Sequence, residues 1–264
     1  VGGLFQSKGS WSDENCLMPD RALRILHTSD CHLDGDMPWR DSRHLTSEHF
    51  AAFRRVVDTA VDLDVDMLLI AGDFFDSNRA SEVSTNFALE QLARMGRPTI
   101  ICPGNHDCFD SGSVYHRVDF RSAGDHVFVL SDIAGQRLEF PELQTVIWGR
   151  AATERDPHYK PLEGIPPREG DRWHVAMAHG HFMEDVRWER RWGPISQAEL
   201  AACDWDYLAL GHWDRHADVS QGSMRAVYSG APTPHPWAGG CLLVTLDPEL
   251  GFSMERIPLP PNEE

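Results

Sequence analysis

The chain has 264 residues, 41% of them apolar, which is enough for a sizeable core and too hydrophobic for a chain disordered throughout. Asp and Glu outnumber Lys and Arg by 41 to 24, a formal charge of −17, so the global field repels phosphate backbones and a nucleic-acid partner would need a local patch or metal ions. No apolar run approaches the roughly 18 residues of a membrane span, the N-terminus lacks a signal-peptide pattern, and six cysteines without C-x-x-C spacing read as reduced thiols of a cytoplasmic protein.

Residues 1–17 are polar and Gly/Ser-rich and read as an N-terminal extension, with Met18-Pro19 a natural start for a domain spanning 18–264. From Leu23 the text alternates strand and helix: LRILHTS, an amphipathic run from about Ser47 to Leu63, then DMLLIAG, the β-α-β order of a layered α/β domain. In the first helix Phe50, Phe53, Val57, Ala60 and Val61 are expected on one buried face, with Thr46 or Ser47 as N-cap. A second helix is predicted from about Ser81 to Met95, stopped by Gly96 and Pro98, and PTIIC follows as a strand. Beyond residue 110 hairpins are expected to take over. HVFVL, RLEF, QTVIW, WHVAMA, DYLALG, MRAVYS, CLLVTL and FSMERI read as strands, 150–172 as loop, and only about Ile195 to Ala202 as helix.

The His, Asp and Asn residues gather at strand ends: Asp30-Cys31-His32, Gly72-Asp73-Phe74-Phe75-Asp76, Gly104-Asn105-His106-Asp107, Ala178-His179-Gly180-His181 and Gly211-His212-Trp213-Asp214. Open α/β sheets place ligand sites at the C-terminal ends of their strands. One D-x-H is commonly an N-cap beside a surface polar residue. Five such clusters in register are better explained by bound metal.

In order, these clusters match the blocks D-x-H, G-D-x-x-D, G-N-H-D/E, H and G-H-x-H, and over about residues 22–230 the chain resembles the calcineurin-like metallophosphoesterases. The strings TSDCHLD, LLIAGDFFDS, PGNHD, YLALGHW and YSGAP are most similar to the branch of SbcD-type DNA repair exonucleases; with the chain ending at Glu264, no full capping domain is expected. The resemblance implies an α/β fold, a four-layer αββα sandwich of two mixed β-sheets flanked by helices. It also implies two divalent cations, manganese first, with iron, zinc or magnesium as alternatives. Asp30, His32 and Asp73 would hold the first, and Asp73, Asn105, His179 and His212 the second, with Asp73 as the bridge.

In the same family pattern His106 faces the leaving group as proton donor and Asp107 orients its ring. His179, the first histidine after its strand, is preferred as ligand over His181, which is left for substrate or solvent. Where the pattern has a second histidine in its last block, this chain has Asp214, read as an oxygen ligand to the first metal with His216 as the alternative. Arg150 and His181 are candidate substrate contacts. The run Arg187-Trp188-Glu189-Arg190-Arg191-Trp192 offers either stacking platforms or packing. Asp76 is expected to hold a ligand or a loop, and Cys31, Cys102 and Cys108 to pack. The implied activity is hydrolysis of phosphodiesters, small or single-stranded, by in-line attack of a metal-bridging hydroxide. An SbcD-like exonuclease or endonuclease and a non-catalytic metal-binding scaffold are the alternatives, and the oligomeric state is left open.

Overall fold

The computed structural model describes residues 19–34, 48–153, 158–183, 191–234 and 238–259. The segment 1–17, the candidate caps Thr46 and Ser47, and Arg187 to Arg190 lie outside the described residues. The elements run β1 (Leu23–Thr28), α1 (Glu48–Asp62), β2 (Met67–Ala71), α2 (Glu82–Met95), β3 (Thr99–Cys102), α3 (Val114–Arg117), β4 (Val127–Val129), β5 (Gln136–Phe140), β6 (Thr145–Gly149) and β7 (Trp173–His179). They continue with β8 (His181–Met183), β9 (Pro194–Ser196), α4 (Gln197–Ala202), β10 (Tyr207–Gly211), β11 (Ala217–Asp218), β12 (Arg225–Tyr228), β13 (Gly240–Asp247) and β14 (Gly251–Pro258).

Two six-stranded mixed sheets form, in the orders β14-β13-β1-β2-β3-β4 and β11-β12-β10-β7-β6-β5. Their period-2 alternation sets the layers. Leu23 and Ile25 of β1, Met67 and Leu69 of β2, and Val175, Met177, Tyr207 and Ala209 of β7 and β10 fill the space between the sheets. Leu26, Leu68 and Ile70 turn outward under α1 and α2, where Phe50 stacks on Phe87 at 4.3 Å. On the far face of the second sheet Ala176, Leu208 and Leu210 pack beneath Leu200 of α4, Trp205, Ile195 and Phe182. The fourth layer is therefore thin, built from α4, the β8–β9 ribbon and loops.

The structure corrects two expectations. The second half of the domain is chiefly parallel: β6 with β7, β7 with β10 and β10 with β12 all run alike, and among the described strands hairpin pairing is confined to β5–β6, the short β11–β12 and β13–β14. The reason is burial on both faces, which makes these strands continuous apolar runs fed by crossovers. In α1, Val56 and Ala52 join Phe53 and Ala60 in the buried stripe, whereas Val61 is 49% exposed. At 100° per residue it lies about 100° from the centre of that stripe. The second helix begins one residue after its cap Ser81 and ends at Gly96 in the left-handed conformation.

Parallel register brings the functional loops level. Thr28 pairs with Ile70, Ala71 with Cys102, and Gly211 with His179, so the chain leaves β1, β2, β3, β7 and β10 along one edge of the sandwich. His179 continues the inward series Trp173, Val175, Met177 and so faces the other sheet. Truncating Leu69, fully buried between the sheets, to alanine should cost about 2–5 kcal/mol in urea unfolding. The same truncation at Leu250, 87% exposed, should stay within about 0.5 kcal/mol.

Candidate metal centre

The loops after β1 and β2 are zipped by backbone bonds: Asp30 N–H donates to Gly72 O at 3.0 Å, His32 N–H to Asp73 O at 3.0 Å and Leu33 N–H to Phe74 O at 2.9 Å. Asp30, His32 and Asp73 in those turns adopt φ values of 53°, 46° and 50°, and His212, directly after β10, adopts 103°. Non-glycine residues held there carry strain of order 1–3 kcal/mol each, which persists where the surroundings fix them and concentrates at functional sites. Close approach also demands glycine at 72 and 104. A Cβ on Gly72 would stand 2.1 Å from the His179 ring, and one on Gly104 2.1 Å from Asp73 Oδ1.

These turns gather the candidate ligands. Asp30 and Asp73 are each 2% exposed and His179 is fully buried. Ligand atoms of Asp30, Asp73 and His179 lie within 4.8 Å of one another, and so do those of Asp30, His32 and Asp214. His179 is aimed by its far nitrogen. His179 Nδ1–H donates to Ala71 O at 2.9 Å, leaving Nε2 3.1 Å from both Asp73 Oδ2 and Asn105 Oδ1. His32 Nδ1 lies 3.2 Å from Asp76 Oδ1, with Nε2 3.9 Å from Asp73 Oδ2. His212 Nδ1 lies 3.0 Å from Asn105 Oδ1, and its backbone N–H donates to the Asp30 carboxylate at 3.1 Å. Ring nitrogens steered by a carbonyl or carboxylate are the usual outer support of metal-binding histidines. Three carboxylates, three imidazoles and a carboxamide oxygen suit divalent cations of hard or borderline character. Cys31 and Cys102 are buried with thiols pushed up by burial, and neither stands in these groups of candidate ligands.

The electrostatics of these side chains agree. Burial, with the neighbouring Asp73 charge adding to it, raises Asp30 to about 6. Burial also disfavours charge on Asp73, yet the His179 imidazole outweighs it and holds that carboxyl well below the usual range. Against the burial penalty, Asp76 lifts His32 to about 9 and Asp73 lifts His179 to about 9. His212, desolvated and facing His179, falls to about 3. Protons and imidazolium charges thus occupy the place that cations would take.

The remaining candidates are placed as follows. Of the two alternatives it is Asp214 whose ligand atom lies within reach of Asp30 and His32, and the Nδ1 of His216 lies 2.9 Å from Tyr228 O. His181 is half-buried, accepts from Trp213 Nε1 at 3.1 Å and has its ring 5.9 Å from that of His212. Arg150 is taken up elsewhere: it donates to Ile133 O, Lys160 O and Glu163 Oε2, and it lies over Tyr159, bracing two loops.

Asp107 does not orient the His106 ring. Its buried carboxylate accepts from Phe74 N–H at 2.8 Å, Phe75 N–H at 3.1 Å, Gly104 N–H at 2.7 Å and Tyr115 Oη–H at 2.6 Å, clamping the second loop to the third. The residue that faces the His106 ring is Asp76, whose backbone O lies 2.9 Å and whose Oδ1 lies 3.8 Å from His106 Nδ1. The second aspartate of G-D-x-x-D was the available signal. Sequence reasoning also gave no role to His49, whose Nδ1 lies 2.9 Å from Cys31 O and 3.1 Å from Thr233 Oγ1 at the rim of the first loop.

Comparisons place this arrangement among known proteins. The family model for calcineurin-like phosphoesterases matches residues 23–215. The uncharacterized metallophosphoesterase YhaO of Bacillus subtilis strain 168 is 26% identical over 227 residues, covering 79% of this chain and 52% of that protein. The D component of the nuclease SbcCD from the same organism is 23% identical over 254 residues, covering 82% of this chain and 63% of that one. This chain therefore spans about half to two-thirds of the length of these relatives. A dimetal phosphatase from Danio rerio shares the fold with a TM-score of 0.57 at 11% identity, over 91% of this chain and 100% of that one. Among the described residues no helix is long and apolar enough to cross a membrane.

Because a cation must displace protons from His32 and His179, both held near 9, affinity for Mn²⁺ should rise with pH from about 6 and level off above about 9. Calorimetry in buffers of different ionisation enthalpy should register proton release that shrinks over the same range.

Proposed function

The chain belongs to the calcineurin-like phosphoesterase family, and on that premise we propose that it is a dinuclear-metal phosphodiesterase acting on small or single-stranded phosphodiesters. The observation that carries the reading is the pair of buried carboxylates Asp30 and Asp73, held side by side at strained turns and ringed by imidazoles. In the proposal Asp30, His32, Asp73 and Asp214 hold one cation and Asp73, Asn105, His179 and His212 the other. Two such cations, manganese by preference, would supply Lewis acidity and an ionised water nucleophile at neutral pH.

The chain's own residues supply the rest. Asp73 accepts the His106 backbone N–H at 2.9 Å, which fixes the His106 loop to the centre. Nδ1–H of His106 donates to Asp76 O, which leaves Nε2 as the atom that would hand a proton to the departing alkoxide. Asp107 serves as a positioning residue, because its four bonds set Asp73 and His106 relative to each other. The acidic surface, with formal charge −17, supports small or single-stranded esters over long duplexes. Similarity to the SbcCD nuclease component along 82% of the chain favours, as second reading, exonuclease or endonuclease activity.

The deciding comparison is Mn²⁺-dependent turnover of bis-p-nitrophenyl phosphate, p-nitrophenyl phosphate, single-stranded DNA and linear duplex DNA by one preparation. Preference for the small diester or single strand supports the proposal. Preference for the monoester or the duplex overturns it, and full metal occupancy with no turnover points to a scaffold.

Two variants probe the roles. His106→Ala should retain both metals and lose about 10²- to 10⁴-fold in turnover on a substrate with a poor leaving group; undiminished turnover would remove His106 as proton donor. Asp214→Ala should lower metal stoichiometry from two to one per chain by elemental analysis, with the unfolding midpoint of the metal-free protein unchanged, whereas retention of both ions would place Asp214 outside the ligand set.

A further inference from the structure

Four indole N–H groups can be compared. Trp173 donates to Arg21 O, Trp205 to Pro166 O at 2.8 Å and Trp213 to His181 Nδ1 at 3.1 Å. Trp192 differs: its Nε1 is sealed from solvent and has no acceptor among the described residues. A buried donor without a partner is uncommon and costly, and such a group in a native fold calls for a missing acceptor.

The place of Trp192 says what that acceptor is. Its ring centroid lies 6.1 Å from that of His179 and 6.1 Å from that of His212, the two histidines that share Asn105 Oδ1. It is held there by a stack, parallel within 21° and 5.0 Å from Tyr159, which is itself covered by the Arg150 guanidinium at 5.4 Å. The bonds from Arg150 to Ile133 O, Lys160 O and Glu163 anchor that stack from behind, which gives the arginine and its neighbours a purpose at one remove from the centre. Trp213, on the other flank, has Tyr228 stacked on its ring at 4.4 Å and Arg215 over it at 5.2 Å, so its faces are already taken.

An indole nitrogen donates and never accepts, so it cannot itself ligate a cation. Beside a centre built to hold cations, the complementary partner is an anionic oxygen that the cations also attract. We propose that Trp192 Nε1–H donates a hydrogen bond to a non-bridging phosphoryl oxygen of the bound phosphoester, which makes Trp192 a substrate-binding residue fixed by the Arg150–Tyr159 stack. This rests on the reading of the centre as a phosphoester-hydrolysing site.

The test uses the zinc-loaded protein, diamagnetic and therefore readable by NMR, with inorganic phosphate as the probe. The chain has nine tryptophans, and their indole ¹⁵N–¹H signals are few enough to resolve. Trp192→Phe keeps an aromatic ring against Tyr159 while removing the donor and the rest of the five-membered ring, and the signal it deletes identifies Trp192. Phosphate should move that signal downfield in the wild-type protein. Calorimetry should give a phosphate affinity about tenfold weaker in Trp192→Phe, the worth of one bond to a charged acceptor, with zinc stoichiometry unchanged. Phosphate that binds the wild-type protein without moving any indole signal overturns the proposal, a result that stands even if the variant does not fold. Equal affinity in a folded variant does the same. Absence of phosphate binding by the zinc-loaded wild-type protein overturns the reading of the centre itself and the proposal with it, so the two failures are told apart.

Discussion

Two carboxylates, Asp30 and Asp73, are buried against one another, and the organisation of this edge of the sandwich follows from what it takes to keep them there. Like charges in a poorly solvated space cannot both ionise unless positive charge is placed between them. Burial and the Asp73 charge hold Asp30 up near 6, while His179 keeps Asp73 ionised and is itself held near 9. The buried charges of these side chains are thus balanced by protons, and divalent cations are the natural replacement for those protons.

Bringing the two carboxylates together is a backbone problem before it is a side-chain one. The sheets must end level, which parallel register achieves, and the chain must then turn at once, which the left-handed conformations of Asp30, His32, Asp73 and His212 achieve. The paired backbone bonds between the first two loops and the four bonds accepted by Asp107 hold those turns in place. Well-packed layers on both sides of each sheet supply the stability against which such strain is tolerated.

The layered α/β start of the domain and the strand ends carrying the centre are legible in the sequence, because a short apolar run that stops abruptly at Asp, Asn or His beside glycine marks a buried strand delivering a polar group to a sheet edge, whereas the two-sheet sandwich is implied only by the family resemblance. What stays hidden has physical causes. Apolar runs such as DYLALG look the same whether paired parallel or in hairpins, so the parallel second sheet is invisible to alternation alone. Asp107 follows His106 in the chain, which suggests a partnership, yet the turn sends its carboxylate to the loop after β2 and leaves Asp76, thirty residues earlier, beside the imidazole. That Asp214 and not His216 stands grouped with Asp30 and His32 depends on which way the loop after β10 turns, which the sequence does not show. Arg150 carries the right charge for a phosphate, but its position behind Tyr159 appears only once the loops are folded. Trp192 belongs to a run whose spacing offers no sign that one indole nitrogen would be left without an acceptor.

The central claim is that the loops after β1, β2, β3, β7 and β10 form a single two-cation centre bridged by Asp73. Anomalous diffraction from crystals grown with Mn²⁺ tests it most directly. The account predicts two peaks about 3.5–4 Å apart, one beside Asp30, His32 and Asp214, the other beside Asn105, His179 and His212, with the Asp73 carboxylate between them. A single peak at saturating Mn²⁺, or two that do not share Asp73, would contradict it.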